Sequence, residues 1–264
     1  MINAMRSLLE NVIIKPLRRF SPEAADHFRY LLIEIWVAYI HLGASRACFR
    51  RYANGRGLKV NFGSGSAPKT NFLNLDFAPQ ADVRLDLRRA IPLPDSCCSF
   101  VYSEHFVEHL SYPEGVERFF ADCFRILEEE GKISISVPDT KWPLEEYGHG
   151  RKEYLANCIE RRWHPEGCDT FIEHINFHFR QRWRNDSYSH FENHKFAWDL
   201  ETMQKKLREA GFNTVVERRF DPLLDSRLRE VGSLFVEATK PVTIARVSHE
   251  SPSLLPSEWA VEAS

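Results

Sequence analysis

Two glycines and an acid are the first residues whose types and spacing could bind a ligand. Gly63 and Gly65 end a short strand pattern, where glycine permits a positive φ and lets a ligand approach the backbone closely. Asp76 ends the next strand pattern, and its carboxylate could accept from both hydroxyls of a ribose or could cap a turn. It follows Gly63 by 13 residues, whereas the dinucleotide fingerprint has a third glycine and an acid about 20 residues further on. The spacing therefore argues against a nicotinamide cofactor.

Polar residues also follow the next strands of the series. Asp86, with Leu87 beside it, could accept a hydrogen bond from an adenine amino group. Ser103 is predicted to cap a helix after the fourth strand, which would place free amides and a partial positive charge at the cleft. Because ligands of open α/β sheets bind outside the carboxyl ends of the strands, we expect these side chains at one site.

Two histidines of that predicted helix could take part in proton transfer. His105 and His109 are four residues apart and would share one helix face, with His105 nearer the cleft. We expect His105 to act as a base or to bind an acceptor, with a purely structural role as the alternative. His109 is expected to be structural.

The segment 140–195 is too long for a simple connection, and segments of this size are usually functional or flexible. Its many aromatic and basic residues suit a lid over an acceptor, and a helical cap with its own small core is the alternative. Its possible metal ligands are two His-x-x-x-His pairs, two cysteines and two glutamates: His174/His178, His190/His194, Cys158, Cys168, Glu173 and Glu192. Neither pair has the glutamate of the zinc-protease motif, so we expect no metal, although the sequence leaves a site in this insertion open.

Short strand patterns alternate with helical patterns along most of the chain, which indicates an α/β sheet with mostly parallel strands. One helix is predicted from a capping box, Ser111 to Glu114, to a stop at Gly131, and a second from an Asp199 cap to Gly211. The predicted strands are Leu58–Phe62, Phe72–Phe77, Val83–Leu85, Ser99–Tyr102, Lys132–Val137, Thr214–Val216 and Leu234–Ala238.

Several of these segments together resemble a known family. The motifs, in chain order, are NFGSGS, NLD, LDLRRAIPLPDSCCSFVYSEHFVEHL, FRILEEEGKISISVPD and HKFAWDLETMQKKLREAGF. They are similar to the class I S-adenosylmethionine-dependent methyltransferases, and most similar to the type 11 methyltransferases that often accompany sugar-transfer enzymes in bacteria. The resemblance covers about residues 57–240, and the order of the motifs makes it more specific than the glycine turn alone.

The resemblance implies a fold, a cofactor and site residues. The implied fold is a Rossmann-like, mostly parallel seven-stranded sheet in the order 3-2-1-4-5-7-6, with the last strand antiparallel and the helical insertion after strand 5. The implied cofactor is S-adenosylmethionine. Its carboxypropyl end would contact Gly63 and Gly65, and its ribose would contact Asp76. Its adenine would lie beside Asp86 and Leu87, and Ser103 would line the methionine side. A histidine commonly precedes the basic residue before the last helix, which matches His194 and makes it a second candidate for the acceptor pocket.

Composition limits the partners and the compartment. Lys+Arg of 35 and Asp+Glu of 37 leave a net charge of −2, so no global basic field exists and no nucleic acid partner is expected. The six cysteines show no repeated metal-knuckle spacing, and no secretory signal is visible. Reduced cysteines in the cytoplasm are therefore expected.

The patterning divides the 264 residues into a helical arm, a methyltransferase domain with its insertion, and a flexible tail: 1–56, 57–240 with 140–195, and 241–264. The apolar run of the arm, residues 30–43, is shorter than the about 20 residues that span a membrane. We expect residues 28–51 to dock on the main domain, on a second subunit or weakly on a membrane surface.

The sequence therefore predicts methyl transfer from S-adenosylmethionine to a small-molecule or glycan acceptor, at oxygen. The acceptor class rests on the family association alone. The alternative function is a non-catalytic module that keeps the methyltransferase fold as a platform for binding a partner.

Overall fold

The computed structural model describes residues 10–181 and 193–242. The predicted ligands His190 and Glu192, and nearly all of the tail from 241 to 264, lie outside the described residues. Seven strands form one sheet in the order β3-β2-β1-β4-β5-β7-β6, as predicted. The strands are β1 Leu58–Phe62, β2 Leu73–Asp76, β3 Val83–Arg84, β4 Cys98–Glu104, β5 Leu127–Pro138, β6 Asn213–Glu217 and β7 Ser233–Thr239.

Strand direction follows the expected pattern. The neighbouring pairs from β3 to β5 are parallel, and β7 is antiparallel to both β5 and β6. The central strands are buried along most of their length because helices cover both faces of a parallel sheet, and buried polar residues such as Asn61 and Ser134 alternate with the apolar ones. Val60, Val101 and Ile133 are fully buried and lie side by side in the register of β1, β4 and β5. These strands hold their carboxyl ends at one edge of the sheet.

Helices pack around the sheet, and the first two of them precede β1 in the chain. A short π-helical turn, Glu10–Ile14, precedes the first helix. The α-helices are α1 Lys15–Phe20, α2 Pro22–Tyr52, α3 Glu114–Ile126, α4 Lys141–Gly148, α5 Glu153–Glu160, α6 Phe171–Arg180 and α7 Leu200–Glu209.

The two helices predicted from caps differ in outcome. The Asp199 cap is confirmed, since its Oδ1 accepts a 2.9 Å hydrogen bond from the Thr202 amide at the start of α7. The capping box at Ser111 is wrong: α3 begins at Glu114, and the Ser111 main-chain carbonyl accepts the first amide bonds of the helix. The predicted stop at Gly131 is also late, because α3 ends at Ile126 and β5 begins directly after it.

The long helix α2 lies against the β3 edge of the sheet. Ser21 caps it by accepting from the Ala24 amide at 3.2 Å. One side buries Val37 and Cys48, and the other leaves large apolar side chains exposed: Leu31, Ile35, Trp36, Tyr39, Leu42 and Phe49. Among the described residues, α2 is the one helix long and apolar enough to cross a membrane by length and composition, with 17% of its most apolar window buried. Docking on the main domain is thus seen, and the exposed face keeps the other two expectations open.

The insertion forms helices α4 to α6 in its described part. Their contact is aromatic: the Tyr154 ring stacks on Phe171 with centroids 5.9 Å apart, and the Trp142 ring meets Tyr154 edge to face at 5.3 Å. Tyr154 is 1% exposed. This is the helical cap with a small core of its own, which the sequence left as the alternative to a lid.

Candidate functional site

A cavity of about 500 Å³ opens at the carboxyl ends of β1 to β4, where the predicted ligand-binding residues meet. We call it the glycine cavity. It is lined by Ile33, Val37, Gly63, Gly65, Asp76, Phe77, Ala78, Leu85, Asp86, Leu87, Arg88, His105, Phe106, His109, Leu110 and Lys195. Five of the six residues that the resemblance assigns to the cofactor therefore border one space.

The two glycines are required by backbone geometry. Gly63 has φ +72° and Gly65 has φ +52°, in the left-handed region that disfavours side chains. A Cβ on Gly63 would lie 2.5 Å from the Cβ of Phe106. The Gly63 amide donates to the Leu75 carbonyl at 3.0 Å, which fixes the turn against β2. The chain therefore leaves a cradle beside the cavity that any side chain at 63 would fill.

Asp76 both caps a turn and borders the glycine cavity. Its Oδ2 accepts from the Gly65 amide at 3.0 Å, and its Oδ1 accepts from the Ala78 amide at 2.6 Å. A carboxylate has about four acceptor positions, so these two bonds leave lone pairs for ribose hydroxyls. The two roles considered for Asp76 are thus compatible, because the turn bonds hold the carboxylate at the cavity wall.

Asp86 is held by arginines and by helix α2. Its carboxylate accepts from Arg88 Nε at 2.8 Å and from Arg89 Nε at 3.2 Å, and its amide donates to His41 Nδ1 at 3.2 Å. Burial alone would raise the pKa of Asp86, but the hydrogen bonds and charge of Arg88 outweigh it, and the pKa lies below its usual value. Arg88 also makes a bidentate pair with Glu34 of α2, at 2.7 and 2.8 Å. An adenine amino group would share this carboxylate with two guanidinium groups.

Ser103 is not a helix cap, so that prediction is wrong. Strand β4 continues to Glu104, which pairs with Ser136 of β5, and this pairing keeps Ser103 inside the strand. Ser103 is fully buried, its Oγ has no hydrogen-bond partner among the described residues, and it does not line the glycine cavity. Its contact with the cofactor stays a prediction.

His105 and His109 do not share a helix. His105 has φ +49°, and the chain then forms a short 3-10 turn, Val107–His109. The ring Nε2 of His105 lies 2.8 Å from the Ser233 hydroxyl. Both histidines nevertheless border two cavities at once: the glycine cavity and a smaller one of about 140 Å³.

We call the smaller space the histidine cavity. It is lined by His105, Glu108, His109, Pro138, Tyr154, Trp163, His164, Phe177, His178, Gln181, His194, Leu228, Arg229, Val231, Gly232 and Ser233. The two predicted catalytic residues, His105 and His194, are therefore brought together although 88 positions separate them in the chain. The insertion supplies much of the wall.

Glu108 lies at the centre of the histidines. Its side chain is 1% exposed, and among the described residues neither oxygen has a hydrogen-bond partner. Its Oε1 lies 3.5 Å from His105 Nδ1, 3.9 Å from His109 Nε2 and 3.9 Å from His194 Nε2. Burial raises the pKa of Glu108 to about 8.

Backbone carbonyls fix the tautomers of two histidines. His194 Nδ1 lies 2.7 Å from the His178 carbonyl, and His109 Nδ1 lies 3.3 Å from the Asn193 carbonyl. A carbonyl only accepts, so each Nδ1 carries the proton and each Nε2 presents a lone pair toward Glu108. Burial lowers the pKa of His194 to about 3, so its ring is neutral near pH 7.

Two of the other predicted ligands, Cys158 and His174, form a separate group with His164, which the sequence had not indicated as a ligand. Cys158, His164 and His174 each offer a ligand atom within 4.8 Å of the others. His164 Nδ1 lies 2.8 Å from His174 Nδ1, and Cys158 Sγ lies 3.9 Å from His164 Nε2. The predicted pair of histidines on α6 is divided, because His178 instead contacts the Tyr154 hydroxyl at 3.0 Å.

The strand order and the position of the glycine cavity are those of a class I methyltransferase fold. A family model described as a methyltransferase domain matches residues 46–135, which hold β1 to β4, α3 and most of β5. This match covers 90 of the 264 residues and agrees with the type 11 methyltransferase resemblance that the motifs indicated. Among curated proteins, no sequence matches the chain.

Similar solved structures are remote in sequence. A phosphoethanolamine N-methyltransferase 2 of Haemonchus contortus, in complex with S-adenosylmethionine, has 11% identity and a TM-score of 0.41, over 76% of this chain and 53% of that one. The chain therefore spans about half the length of the nematode enzyme. A methyltransferase of Methanosarcina mazei has 12% identity and a TM-score of 0.43, over 74% and 97% of the two chains. One of Archaeoglobus fulgidus has 17% identity and a TM-score of 0.40, over 80% and 99%.

The cofactor of this class, S-adenosylmethionine, fits the residues of the glycine cavity. The cradle at Gly63 admits a ligand where a Cβ would not fit, and the Asp76 carboxylate stands at the wall with acceptor positions left. Leu85 and Leu87 also line this cavity and offer apolar surface on which a flat base can pack. The observed chemistry of the cavity therefore suits a ligand with a polar end, a ribose and a base.

Some residues at the site were missed from sequence. Val37 and Ile33 of α2 line the glycine cavity, and Glu108 lies at the centre of the histidine cavity. The signal for Glu108 was an acid next to His109 within the apolar run FVEHL. No sequence signal showed which side of the apolar helix α2 faces the sheet.

Proposed function

We propose that this chain transfers a methyl group from S-adenosylmethionine, bound in the glycine cavity, to an acceptor held in the histidine cavity. The single observation that carries this proposal is that His105 and His109 border both cavities. A methyl group at the boundary could reach a nucleophile on the other side. The proposed cofactor contacts remain those of the sequence analysis: Gly63, Gly65, Asp76, Asp86, Leu87 and Ser103.

The main task of the protein in this reaction is to align the acceptor atom with the methyl group. The acceptor atom attacks the methyl carbon of the sulfonium in line, and the carbon–sulfur bond breaks with its electron pair going to sulfur. Holding the two reactants in this geometry can supply about 7–11 kcal/mol of the barrier. A hydroxyl acceptor must also lose its proton, so a base near the boundary is needed.

His105 is the proposed base, and His194 is proposed to hold the acceptor. The Nδ1 of His105 lies on the side of Glu108, and its Nε2 contacts the Ser233 hydroxyl, so both nitrogens face polar groups of the histidine cavity. His194 presents Nε2 to the same space because the His178 carbonyl holds its Nδ1 proton. Either imidazole can accept a hydrogen bond from an acceptor hydroxyl.

The proposed acceptor is a small molecule or the end of a glycan, methylated at oxygen. A space of about 140 Å³ admits only a few heavy atoms, which suits a small acceptor or the terminal group of a larger one. The aromatic rings of Tyr154 and Trp163 form part of its wall and can pack on the flat face of a sugar.

We also propose a cytoplasmic location. All six cysteines are free, and five of them are buried, as in a protein that keeps its thiols reduced. The exposed apolar face of α2 supports a contact of residues 28–51 with a second subunit or a membrane surface.

Titration calorimetry with S-adenosylmethionine and S-adenosylhomocysteine tests the cofactor site. Wild type should bind both compounds. Asp76→Ala should bind each of them at least about tenfold more weakly, since a hydrogen bond to a charged group contributes about 1.5–3 kcal/mol. Asp95→Ala is the matched control, because the Asp95 side chain is 76% exposed and pairs with Arg125. Absence of heat with either compound would contradict the proposal.

A labelled methyl donor then distinguishes an active methyltransferase from a non-catalytic binding platform. Cell extracts incubated with the protein and S-adenosylmethionine labelled at the methyl group should gain label in a small-molecule or glycan fraction. His105→Gln should abolish this incorporation while leaving cofactor binding intact. Cofactor binding with no labelled fraction would favour the non-catalytic platform instead.

A further inference from the structure

We propose that Glu108, His109 and His194 bind one divalent transition-metal ion at the wall of the histidine cavity. Binding of the ion is argued from this chain's own side chains. Only the ion's role in methyl transfer rests on the proposed function.

The three side-chain atoms that face one another in this cluster are all acceptors. The carbonyls of Asn193 and His178 hold the Nδ1 protons of His109 and His194, so each ring turns a lone pair toward Glu108 Oε1. Histidines that ligate a metal almost always donate their other ring N–H in this way. Two nitrogen lone pairs and a carboxylate oxygen repel one another unless a cation or a proton lies between them.

A proton explains the arrangement less well than a metal ion. A protonated Glu108 would need an acceptor at about 2.6–3.2 Å. The nearest ring nitrogens lie at 3.5, 3.9 and 3.9 Å, and neither carboxylate oxygen has a hydrogen-bond partner among the described residues. The side chain is 1% exposed, so bulk solvent barely reaches this carboxylate. Moving an ionised carboxylate from water into the protein interior costs free energy unless a counter-charge lies beside it.

The distances suit a metal ion at the centre. Glu108, His109 and His194 each offer one ligand atom, and these three atoms lie within 4.8 Å of one another. With metal–ligand bonds of about 2.0–2.2 Å, the ligand atoms of a tetrahedral site lie about 3.3–3.6 Å apart. The observed 3.9 Å from Glu108 Oε1 to each Nε2 therefore needs only a contraction of a few tenths of an ångström.

The donor set selects the kind of ion. Two imidazoles and one carboxylate favour zinc, iron(II), cobalt(II) or manganese, whereas magnesium and calcium prefer oxygen ligands. Three protein ligands leave at least one position open, as in catalytic rather than structural sites. The open position faces the histidine cavity, since all three residues line it.

The ion would act on the acceptor oxygen. A hydroxyl bound to a divalent cation has a lowered pKa, and here its proton would pass to His105. The resulting oxygen anion attacks the methyl carbon, the carbon–sulfur bond breaks, and the products are a methyl ether and S-adenosylhomocysteine. This assigns Glu108, for which the methyltransferase resemblance implied no role, the role of holding the ion.

The second histidine group is the natural internal control. In the group of Cys158, His164 and His174, the two histidines already contact each other at 2.8 Å through Nδ1, so a hydrogen bond accounts for them without an ion. His174→Gln therefore removes a histidine at comparable depth, 3% exposed, without touching the proposed ligands.

The test is titration of the full-length, metal-stripped protein with cobalt(II) and zinc, followed by the visible bands of cobalt(II) and by equilibrium dialysis. Wild type and His174→Gln should each bind about one equivalent. Glu108→Gln and His194→Gln should lose the cobalt(II) bands and weaken binding by at least about tenfold. Thermal melting and S-adenosylhomocysteine calorimetry check that each variant is folded.

Three outcomes would overturn the inference: no bound cobalt(II) or zinc in wild type, unchanged binding in both ligand variants, or binding that is lost in His174→Gln instead. Failure of the inference and of the proposed function are distinguishable. Cofactor binding without metal binding rejects the ion alone, whereas metal binding without cofactor binding rejects the methyltransferase activity alone.

Discussion

The main-chain amide of Lys195 donates a hydrogen bond to the main-chain carbonyl of Glu108, with N and O 2.7 Å apart. This bond ties the end of the insertion to the short turn that follows β4. Because His194 precedes Lys195 and His109 follows Glu108, the same contact sets the two imidazoles side by side, with ring centroids 5.1 Å apart. This backbone bond therefore holds His194 beside His109 at the wall of the histidine cavity, while Lys195 itself lines the glycine cavity.

The first prediction concerns the cradle at Gly63. Gly63→Ala should lower the free energy of unfolding by about 1–3 kcal/mol, because φ is +72° there and the new Cβ would lie 2.5 Å from Phe106. It should also weaken S-adenosylhomocysteine binding, measured by calorimetry. Gly43→Ala is the control: its Cβ meets nothing within 4 Å in α2, and alanine there should stabilise the helix by up to about 1 kcal/mol. Equal effects of the two substitutions would contradict the cradle.

The second prediction concerns acid stability through the pair of Arg218 and Asp225. The guanidinium contacts both carboxylate oxygens at 2.6 Å, and the Tyr102 hydroxyl donates at 3.0 Å. Burial alone would raise the pKa of Asp225, but the bonds from Arg218 outweigh it, so the pKa is below the model-peptide value of 3.8. The folded state thus holds this proton less tightly than the unfolded state.

Asp225 should therefore stabilise the fold fully above pH 3.8, and this stabilisation should be lost as the pH falls through the lower folded pKa. Asp225→Asn should cost about 3 kcal/mol at pH 7, since it leaves Arg218 without its charged partner. Urea unfolding of both proteins from pH 7 to pH 3 should show the difference shrinking only at the acid end. A difference that is constant over this range would refute the assignment.

The sheet could be predicted from the sequence, whereas parts of the site could not. Short apolar segments bounded by turn residues indicated all seven strands, because both the apolar pattern and the turn residues are local features of the sequence. The end of β4 was misjudged because pairing with β5, a nonlocal interaction, carries the strand past Ser103 to Glu104. A helix was expected there, and the left-handed φ of His105 has no signature in residue type.

Contacts between distant segments explain the other gaps. Glu108 could be recognised only once His194, from the far end of the insertion, was placed beside it. An apolar helix such as α2 shows no single hydrophobic side, so the sequence could not tell that Val37 faces the glycine cavity. Glycine spacing and the strand-end acids, in contrast, are local features and indicated the correct cavity.

The third prediction concerns the arm as part of the cofactor site. Val37→Ala should cost about 1–2 kcal/mol of unfolding free energy and weaken S-adenosylhomocysteine binding, because the side chain is 3% exposed and lines the glycine cavity. Leu42→Ala, five residues further along α2 and 60% exposed, should change neither quantity. Chemical unfolding and calorimetry on both variants check this. Unchanged affinity of Val37→Ala for S-adenosylhomocysteine would show that the arm does not contribute to the cofactor site.

The fourth prediction concerns the thiols. Cys168 has intermediate exposure, whereas Cys48, Cys97, Cys98, Cys123 and Cys158 are buried. Burial also raises the pKa of Cys48 and of Cys158 to about 11, which keeps both in the unreactive thiol form. With a colorimetric disulfide reagent at pH 8, one thiol should react quickly in the folded protein and all six after denaturation. Cys168→Ser should remove the fast phase and leave five slow thiols. A second fast thiol in wild type, or a fast phase that survives Cys168→Ser, would show that the packing around the buried cysteines opens more readily than the structure allows.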